Sequence, residues 1–443
     1  MFGTSGIRGI YGKDVTCELA RQVGNAAAKQ CTQNKLIVSQ DTRSTSPILT
    51  ASLASGAMFG GVDVLDIGIA PTPLLAYVTY KNKCSGAMIT ASHNPPEYNG
   101  IKLFSNGMEY KKAQEAKVVR LVAAGETGVS WDKTGKIKKE NLSAEYISFL
   151  LFLVDSALIK KRKLRVLVDA GNAAAYSLAP AMFSAAGCEV ISINCDQPGN
   201  FVRDLEPKKE TLGRAAKLVV EKNCDFGIAF DGDGDRAIAI DEKGNVLPLD
   251  VQLSIFCSYF LSNTKNGKII TTVEASLCVR ETVEKLGGHL LITPVGSQHV
   301  AEEVLKQNAC FGGEPCGEYV FPSSIPCADG IFSALMVAQI YCKQGKLSDL
   351  ASKVKTYSME RRKYKCDNKK KQQIMSALSK EFSFDATLSK IDGLRYDFSD
   401  GWLLIRPSGT EPAIRLTCEF REKEKLDAIV KKAEVAILEQ IEK

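Results

Sequence analysis

Phe226-Gly227-Ile228-Ala229-Phe230-Asp231-Gly232-Asp233-Gly234-Asp235-Arg236-Ala237-Ile238-Ala239-Ile240 reads as strand, acidic loop, strand. The residues before Asp231 and after Arg236 are apolar runs of strand length, and Glu242-Lys243-Gly244-Asn245 beyond them has the composition of a hairpin turn. Between the runs, three carboxylates fall within five positions with only glycine between them. Each raises the pKa of the next by like-charge repulsion, so full ionisation calls for a hard divalent cation, with magnesium the expected ion. Asp231, Asp233 and Asp235 also match the first, third and fifth positions of an EF-hand loop, with Ile238 and Glu242 at later ones. Against that reading, the sixth position needs a sharply turning glycine and holds Arg236, and EF-hand flanks are helices.

Working outward, the first 145 residues alternate strand signals at 36–38, 62–67 and 87–89 with helical stretches near 15–30 and 45–60. Ser143 is the expected cap of a helix running through 149–159, and Lys160 to Lys163 a charged break before a strand at 164–168. A further strand at 189–193 precedes the acidic loop. Strands at 268–273 and 289–292 are each followed by a helical pattern and lead to Gly312-Gly313-Glu314-Pro315-Cys316-Gly317. The last unit has strands at 402–406 and 414–420 around a polar loop, then a helix with Leu426, Ile429, Val430, Ala433, Ile437 and Ile441 on one face.

A chain of 443 residues, at about 100–200 per domain, holds two to four domains. No basic leader followed by an apolar stretch opens it, and its longest apolar run, 149–154, is far too short to span a bilayer, so neither secretion nor a membrane partner is expected. Fourteen cysteines without CxxC pairs read as reduced thiols in a cytoplasmic protein. The net charge of +6 concentrates at Arg361, Arg362, Lys363, Lys365, Lys369, Lys370 and Lys371. With no aromatic platform beside it, this segment reads as a solvated linker or helix face, and no nucleic-acid partner is expected.

Two more loops carry chemistry. Thr90-Ala91-Ser92-His93-Asn94-Pro95-Pro96 follows a strand, and its prolines fix an exposed turn that presents Ser92. No G-x-S-x-G elbow accompanies it, which argues against a serine hydrolase. In Arg406-Pro407-Ser408-Gly409-Thr410-Glu411-Pro412, with Arg415 beyond, Gly409 opens the backbone to an anion, Ser408 and Thr410 donate hydroxyls, and two guanidinium forks grip phosphate oxygens.

Five motifs in order, Thr4-Ser5-Gly6-Ile7-Arg8-Gly9, Thr90 to Pro95, the Asp231 to Arg236 tract, Gly313-Glu314-Pro315-Cys316-Gly317 and Arg406 to Pro412, make the chain resemble the α-D-phosphohexomutase superfamily over nearly its whole length. The resemblance implies an α/β protein: three related mixed-sheet α/β domains plus a smaller C-terminal α+β domain around a central cleft. Their bounds are set at 1–145 (catalytic serine), 146–247 (metal), 248–358 (sugar) and 359–443 (phosphate). It also implies that Ser92 carries a phosphoryl group and completes a Mg2+ shell with the three aspartates. In this family a hexose 6-phosphate and a hexose 1-phosphate interconvert through an enzyme-bound bisphosphate, and a hexose bisphosphate is the expected activator. By the same resemblance Lys102 handles protons, Arg8 lies near the transferred phosphoryl group and His93 orients the loop. Arg236 guides the substrate or balances charge. Glu314, Cys316 and Glu318 face the sugar.

The sugar loop departs from the common form. Cys316 stands where many members have serine, and Glu318 where many have histidine; an acid there would pair with a glucosamine ammonium. Gln40, before Asp41-Thr42-Arg43, and Gln298 also differ from the usual residues. The opening Phe2 to Arg8 is most like the phosphoglucosamine mutase branch, making glucosamine 6-phosphate and glucosamine 1-phosphate the preferred pair. Phosphoglucomutase or phosphomannomutase activity, a phosphatase using Asp231 and a non-catalytic phosphosugar-binding protein stay open. A monomer or homodimer is expected.

Overall fold

The computed structural model describes residues 1–3, 6–264, 267–409 and 411–443, and divides into two compact units. The first comprises Met1–Gln252 and Cys316–Ser352; the second, Leu253–Pro315 and Lys353–Lys443. No described helix is long and apolar enough to cross a membrane.

In the first unit, the strands Ser85–Ile89, Lys35–Gln40, Asp63–Ile69 and Ile137–Lys139 run parallel in that spatial order. Tyr98–Ser105 and then Ile7–Ile10 extend the sheet antiparallel from Ser85–Ile89. The helices Cys17–Ala28 and Ser46–Phe59 cover one face, packing Val23, Leu49 and Leu53 onto Leu36, Val38 and Val64. They approach closely because two glycines let them: a Cβ on Gly24 would lie 2.0 Å from the Leu53 carbonyl oxygen, and one on Gly56 only 1.9 Å from that of Arg21. A second sheet has the spatial order Ala237–Ile240, Phe226–Phe230, Arg165–Asp169, Glu189–Ile193, antiparallel at its first pair and parallel thereafter. The acidic loop therefore joins two adjacent antiparallel strands, as the flanking apolar runs require.

Two local expectations need correction. Ser143 is the first residue of the helix Ser143–Phe152 rather than its cap, and the helical signal through 159 is broken. A second helix, Ser156–Arg162, starts afresh because the Asp155 carboxylate accepts the Leu158 N–H. Lys160, Lys161 and Arg162 form its last turn, where cations complement the helix dipole, and Lys163 closes it in the left-handed region.

The second unit contains three parallel strands, His289–Thr293, Lys268–Thr272 and Phe311–Gly313. It also contains a five-stranded antiparallel sheet in the order Ser358–Lys365, Ala413–Phe420, Gly401–Pro407, Leu394–Asp397, Thr387–Ser389. The helix Lys423–Glu442 buries Leu426, Val430, Ala433 and Ile437, with Ile429 and Ile441 half-buried beside them. The basic segment is thus no linker. Ser358–Lys365 is an edge strand whose charged residues protect an open edge, and Lys371–Glu381 is a helix.

Candidate functional site

The serine loop is built from behind by the two charged residues of Asp41-Thr42-Arg43. Asp41 and Arg43 form a buried ion pair at 3.0 Å. Arg43 spends its other N–H groups on four loop carbonyls: Ser92 at 2.8 Å, Asn94 at 2.7 Å, Pro95 at 2.6 Å and Tyr98 at 3.0 Å. Thr90 Oγ1 donates to Asp41 and accepts from the Ser92 N–H. Held this way, Ser92 adopts a left-handed backbone at φ 49°, a sparsely populated conformation that recurs at functional sites. The loop prolines do not leave the serine exposed; Ser92 is buried.

Its burial is made by the acidic loop. Ser92 Oγ donates to Asp231 Oδ2 at 2.8 Å, and His93 Nδ1 lies 3.2 Å from the same Oγ. A Cβ on Gly232 would come within 2.0 Å of the Ser92 carbonyl oxygen, so the glycine between the first two aspartates lets the loops touch. Asp231 Oδ1 accepts the Gly234 and Arg236 N–H groups. Thr72 Oγ1 donates to Asp233 Oδ2 at 2.6 Å, and the Thr72 N–H reaches the Asp233 carbonyl. Lys102 Nζ lies 2.7 Å from Asp233, 3.0 Å from Asp235 and 3.8 Å from Glu109.

All three aspartates are buried, and one ligand oxygen from each lies within 4.8 Å of the others. Burial, with the charges of Asp235 and Asp233, drives Asp231 well above the usual carboxylate range. Burial and the neighbouring Asp233 push Asp235 up to about 7. Burial acts the same way on Asp233, but the Lys102 ammonium and the Thr72 hydroxyl overcome it and hold that group below the ordinary range. Lys102 thus touches two of the carboxylates but holds only Asp233 below its ordinary range. Oδ1 of Asp233 and Oδ1 of Asp235 are buried without a hydrogen-bond donor. Such orphaned oxygens in an all-oxygen set fit a hard divalent cation.

The cations around this core are arranged unequally. Burial alone would lower Lys102, yet Asp233, Asp235 and Glu109 together hold it well above its ordinary value. Burial, then Arg236 and Arg8, push His93 down to about 4, so its ring is neutral near pH 7. Arg8 Nη1 reaches Asn94 Oδ1 at 3.3 Å, while Arg8 Nε is buried with no acceptor. Arg236 donates from Nε (2.9 Å) and Nη2 (2.7 Å) to Glu318 Oε1, and Nη1 lies 3.9 Å from Glu206. Arg236 is thus held against Glu318. Cys316 is half-buried.

In the second unit, Glu314 is buried and accepts the Gly296 N–H at 3.0 Å. Arg406 and Arg415 stand directly opposite each other on adjacent strands, and Lys363 opposes Arg415 on the next. This row of three cations is partly balanced. Glu274 and Asp392 meet Arg406, and Glu411 bridges Lys363 at 2.6 Å and Arg415 at 3.1 Å. Arg406 Nε remains buried with no acceptor, and like charges in register favour an anion among them. Ser408 Oγ accepts the Glu411 N–H, Lys371 Nζ donates to the Ser408 carbonyl at 2.6 Å, and Gly409 is exposed. Thr410 lies outside the described residues.

The structure places Ser92, His93, Lys102, Arg8 and the aspartates in one unit, and nothing in the sequence signalled what Arg43, Thr72, Glu109 and Lys371 hold. Asp41-Thr42-Arg43 was visible as a short stretch after Gln40; nothing in its spacing showed that Arg43 holds the carbonyl of Ser92, 49 residues away.

Comparison with known proteins matches the chain in four successive segments. The chain matches, in order, phosphoglucomutase/phosphomannomutase alpha/beta/alpha domain I (residues 1–128), domain II (144–244), domain III (249–357) and the C-terminal domain (363–435). It is 41% identical to a protein of Thermococcus gammatolerans named "Probable phosphoglucosamine mutase", over 99% of this chain and 98% of that one. A protein of the same name from Pyrococcus horikoshii is 39% identical over 98% of this chain and 96% of its own. The crystal structure of a phosphoglucomutase/phosphomannomutase family protein from Burkholderia thailandensis superposes with a TM-score of 0.87 at 27% identity, covering 99% of this chain and 97% of that one.

Proposed function

We infer that this chain, which belongs to the phosphoglucomutase/phosphomannomutase family, is an isomerase that interconverts hexose 6-phosphates and hexose 1-phosphates, with the glucosamine phosphates as its preferred pair. The observation that carries this reading is the 2.8 Å bond from Ser92 Oγ to Asp231, set beside two aspartate oxygens without donors. A hydroxyl built to bear a phosphoryl group borders a set of oxygens built to hold a cation.

In the proposed cycle, phospho-Ser92 gives its phosphoryl group to a free sugar hydroxyl, breaking the Ser92 Oγ–P bond as the new O–P bond forms. The bisphosphate turns around, and its other phosphoryl group returns to Ser92. Asp231, Asp233 and Asp235, with a phosphoserine oxygen, would hold Mg2+, which when bound offsets charge on the transferring group. Arg8 meets the same charge with its unpartnered Nε–H. Proton movement is assigned to Lys102, whose ammonium form suits protonating the departing Ser92 oxygen; neutral His93 fixes that oxygen's direction. Arg406, Ser408, Gly409, Thr410 and Arg415 grip the phosphate that is not reacting, so one anion site serves both orientations of the bisphosphate. Glu314 and Cys316 contact sugar hydroxyls. A hexose bisphosphate would prime Ser92, fourteen free thiols suit the cytoplasm, and the assembly proposed is a monomer or homodimer.

The glucosamine preference is supported by the names of the archaeal relatives and by the acid at Glu318. The phosphatase alternative is disfavoured because both Asp231 oxygens are occupied by donors, leaving it poorly placed as a nucleophile. A coupled assay with glucosamine, glucose and mannose phosphates, each primed by its bisphosphate, tests the reading. Turnover fastest with glucosamine 6-phosphate is expected; no turnover of any of the three would refute it.

A further inference from the structure

We propose that Thr72 is a positioning residue for the cation site: its hydroxyl holds one oxygen of Asp233 so that the other stays turned to the ion. The inference rests on the cation reading above and adds a residue from outside the aspartates' own loop.

Pro71-Thr72-Pro73 opens the helix Thr72–Asn82. Both prolines lock their own φ, and Pro73 lacks an N–H where a helix start leaves one without a partner. Pro71 precedes the helix and has no side-chain oxygen to cap it, so the Thr72 N–H needs an acceptor from elsewhere. That acceptor is the Asp233 carbonyl, at 2.8 Å. Gly234 permits the approach: it sits at φ +72°, and a Cβ there would lie 2.8 Å from Pro71 Cβ. With its backbone seated in this way, the buried Thr72 places Oγ1 2.6 Å from Asp233 Oδ2.

Other holds on the acidic loop act on backbone. Arg203 Nη2 donates to the Phe230 carbonyl at 2.8 Å, and the Ala174 N–H to the Gly232 carbonyl at 3.2 Å. Thr72 fixes a carboxylate as well. Lys102 Nζ meets the same Asp233 Oδ2 at 2.7 Å, so both donors fall on one oxygen while Oδ1 has none. A carboxylate gripped twice at one oxygen cannot rotate without breaking both bonds, and its bare oxygen keeps its direction. Two grips matter because Lys102 has a second duty. In the proposed cycle its ammonium serves the departing Ser92 oxygen, and when it turns there Thr72 still keeps Asp233 in place.

The test titrates Mg2+ into wild type, Thr72→Val and Thr72→Ser by calorimetry, with Ser92 shown by intact mass to be unphosphorylated in every sample. Valine keeps the shape and the backbone N–H but removes the hydroxyl; serine keeps the hydroxyl. Thr72→Val should bind Mg2+ about 10–100-fold more weakly, as expected on losing an outer partner of a metal ligand, and Thr72→Ser should stay within about threefold of wild type. With glucosamine 6-phosphate, kcat of Thr72→Val should fall at limiting Mg2+ and recover as Mg2+ is raised, with KM for the sugar phosphate unchanged. Wild-type Mg2+ affinity in Thr72→Val overturns the proposal. So does an equal loss in Thr72→Ser, which traces the effect to packing, or a loss of activity that no Mg2+ concentration restores. Wild type that neither binds Mg2+ nor turns over any hexose phosphate defeats the proposed function itself, and this inference falls with it.

Discussion

Replacing Arg43 by lysine should cripple the enzyme without touching substrate or metal. The Arg43 side chain is 1% exposed and makes five hydrogen bonds, one to Asp41 and four to the carbonyls of Ser92, Asn94, Pro95 and Tyr98. A guanidinium has five N–H donors and an ammonium three, so Arg43→Lys keeps the charge but leaves at least two buried acceptors without a donor. At about 1–3 kcal/mol for each orphaned acceptor, the variant should lose about 2–6 kcal/mol of stability. Ser92 sits at φ 49° because its carbonyl is anchored here, so the loop should also relax towards common backbone angles. Urea unfolding measures the first effect and steady-state turnover the second, with kcat expected to fall at least about tenfold for a misplaced phosphoryl carrier. A variant within 1 kcal/mol of wild type that turns over normally would refute the reasoning, since unpaired buried carbonyls cannot be that cheap.

Metal removal should abolish turnover, and Mg2+ should restore it; at 100 times Kd the ion should add about 2.7 kcal/mol to unfolding, read as a rise in Tm. Asp235→Asn should weaken Mg2+ binding at least about tenfold by calorimetry, since one of the two carboxylates that keep a donor-free oxygen is then neutral. Lys371→Ala removes the donor to the Ser408 carbonyl and should raise KM by about tenfold while metal affinity stays as in wild type. Burial holds the Asp329 carboxyl at about 6, above the unfolded value near 4. The folded state therefore keeps a proton that the unfolded state gives up, and this contribution, fully present below pH 4, is lost as pH rises to 6. Up to about 3 kcal/mol of stability should disappear over that window and then level off. Asp329→Asn, whose carbonyl can still accept the Phe332 N–H while its NH2 donates to the Tyr146 hydroxyl oxygen, should flatten that part of the pH dependence in urea titrations.

What could be read from sequence was what depends on near neighbours. The strands Phe226–Phe230 and Ala237–Ile240 follow from apolar runs, and the cation demand of Asp231, Asp233 and Asp235 from charges two residues apart. The basic segment misled because an edge strand with solvated side chains shows charge where a central strand shows alternation; Ser358–Lys365 is held by pairing with Ala413–Phe420. The break at Asp155 hid inside an apolar run because a carboxylate competing for a backbone N–H leaves no hydrophobic signature. Arg43, Thr72 and Glu109 were missed for a different reason. Their partners lie far along the chain, Thr72 being 161 residues from Asp233, and only the fold reveals those pairings.

The central claim is that Ser92 carries the phosphoryl group in transit. Incubating the protein with a hexose bisphosphate labelled in its phosphoryl groups, then mapping the label by peptide mass spectrometry, tests it directly. The label should sit on Ser92, leave into a sugar bisphosphate when glucosamine 6-phosphate is added, and be absent from Ser92→Ala. Label found on Asp231, or released as inorganic phosphate while Ser92 stays unmodified, would contradict the account.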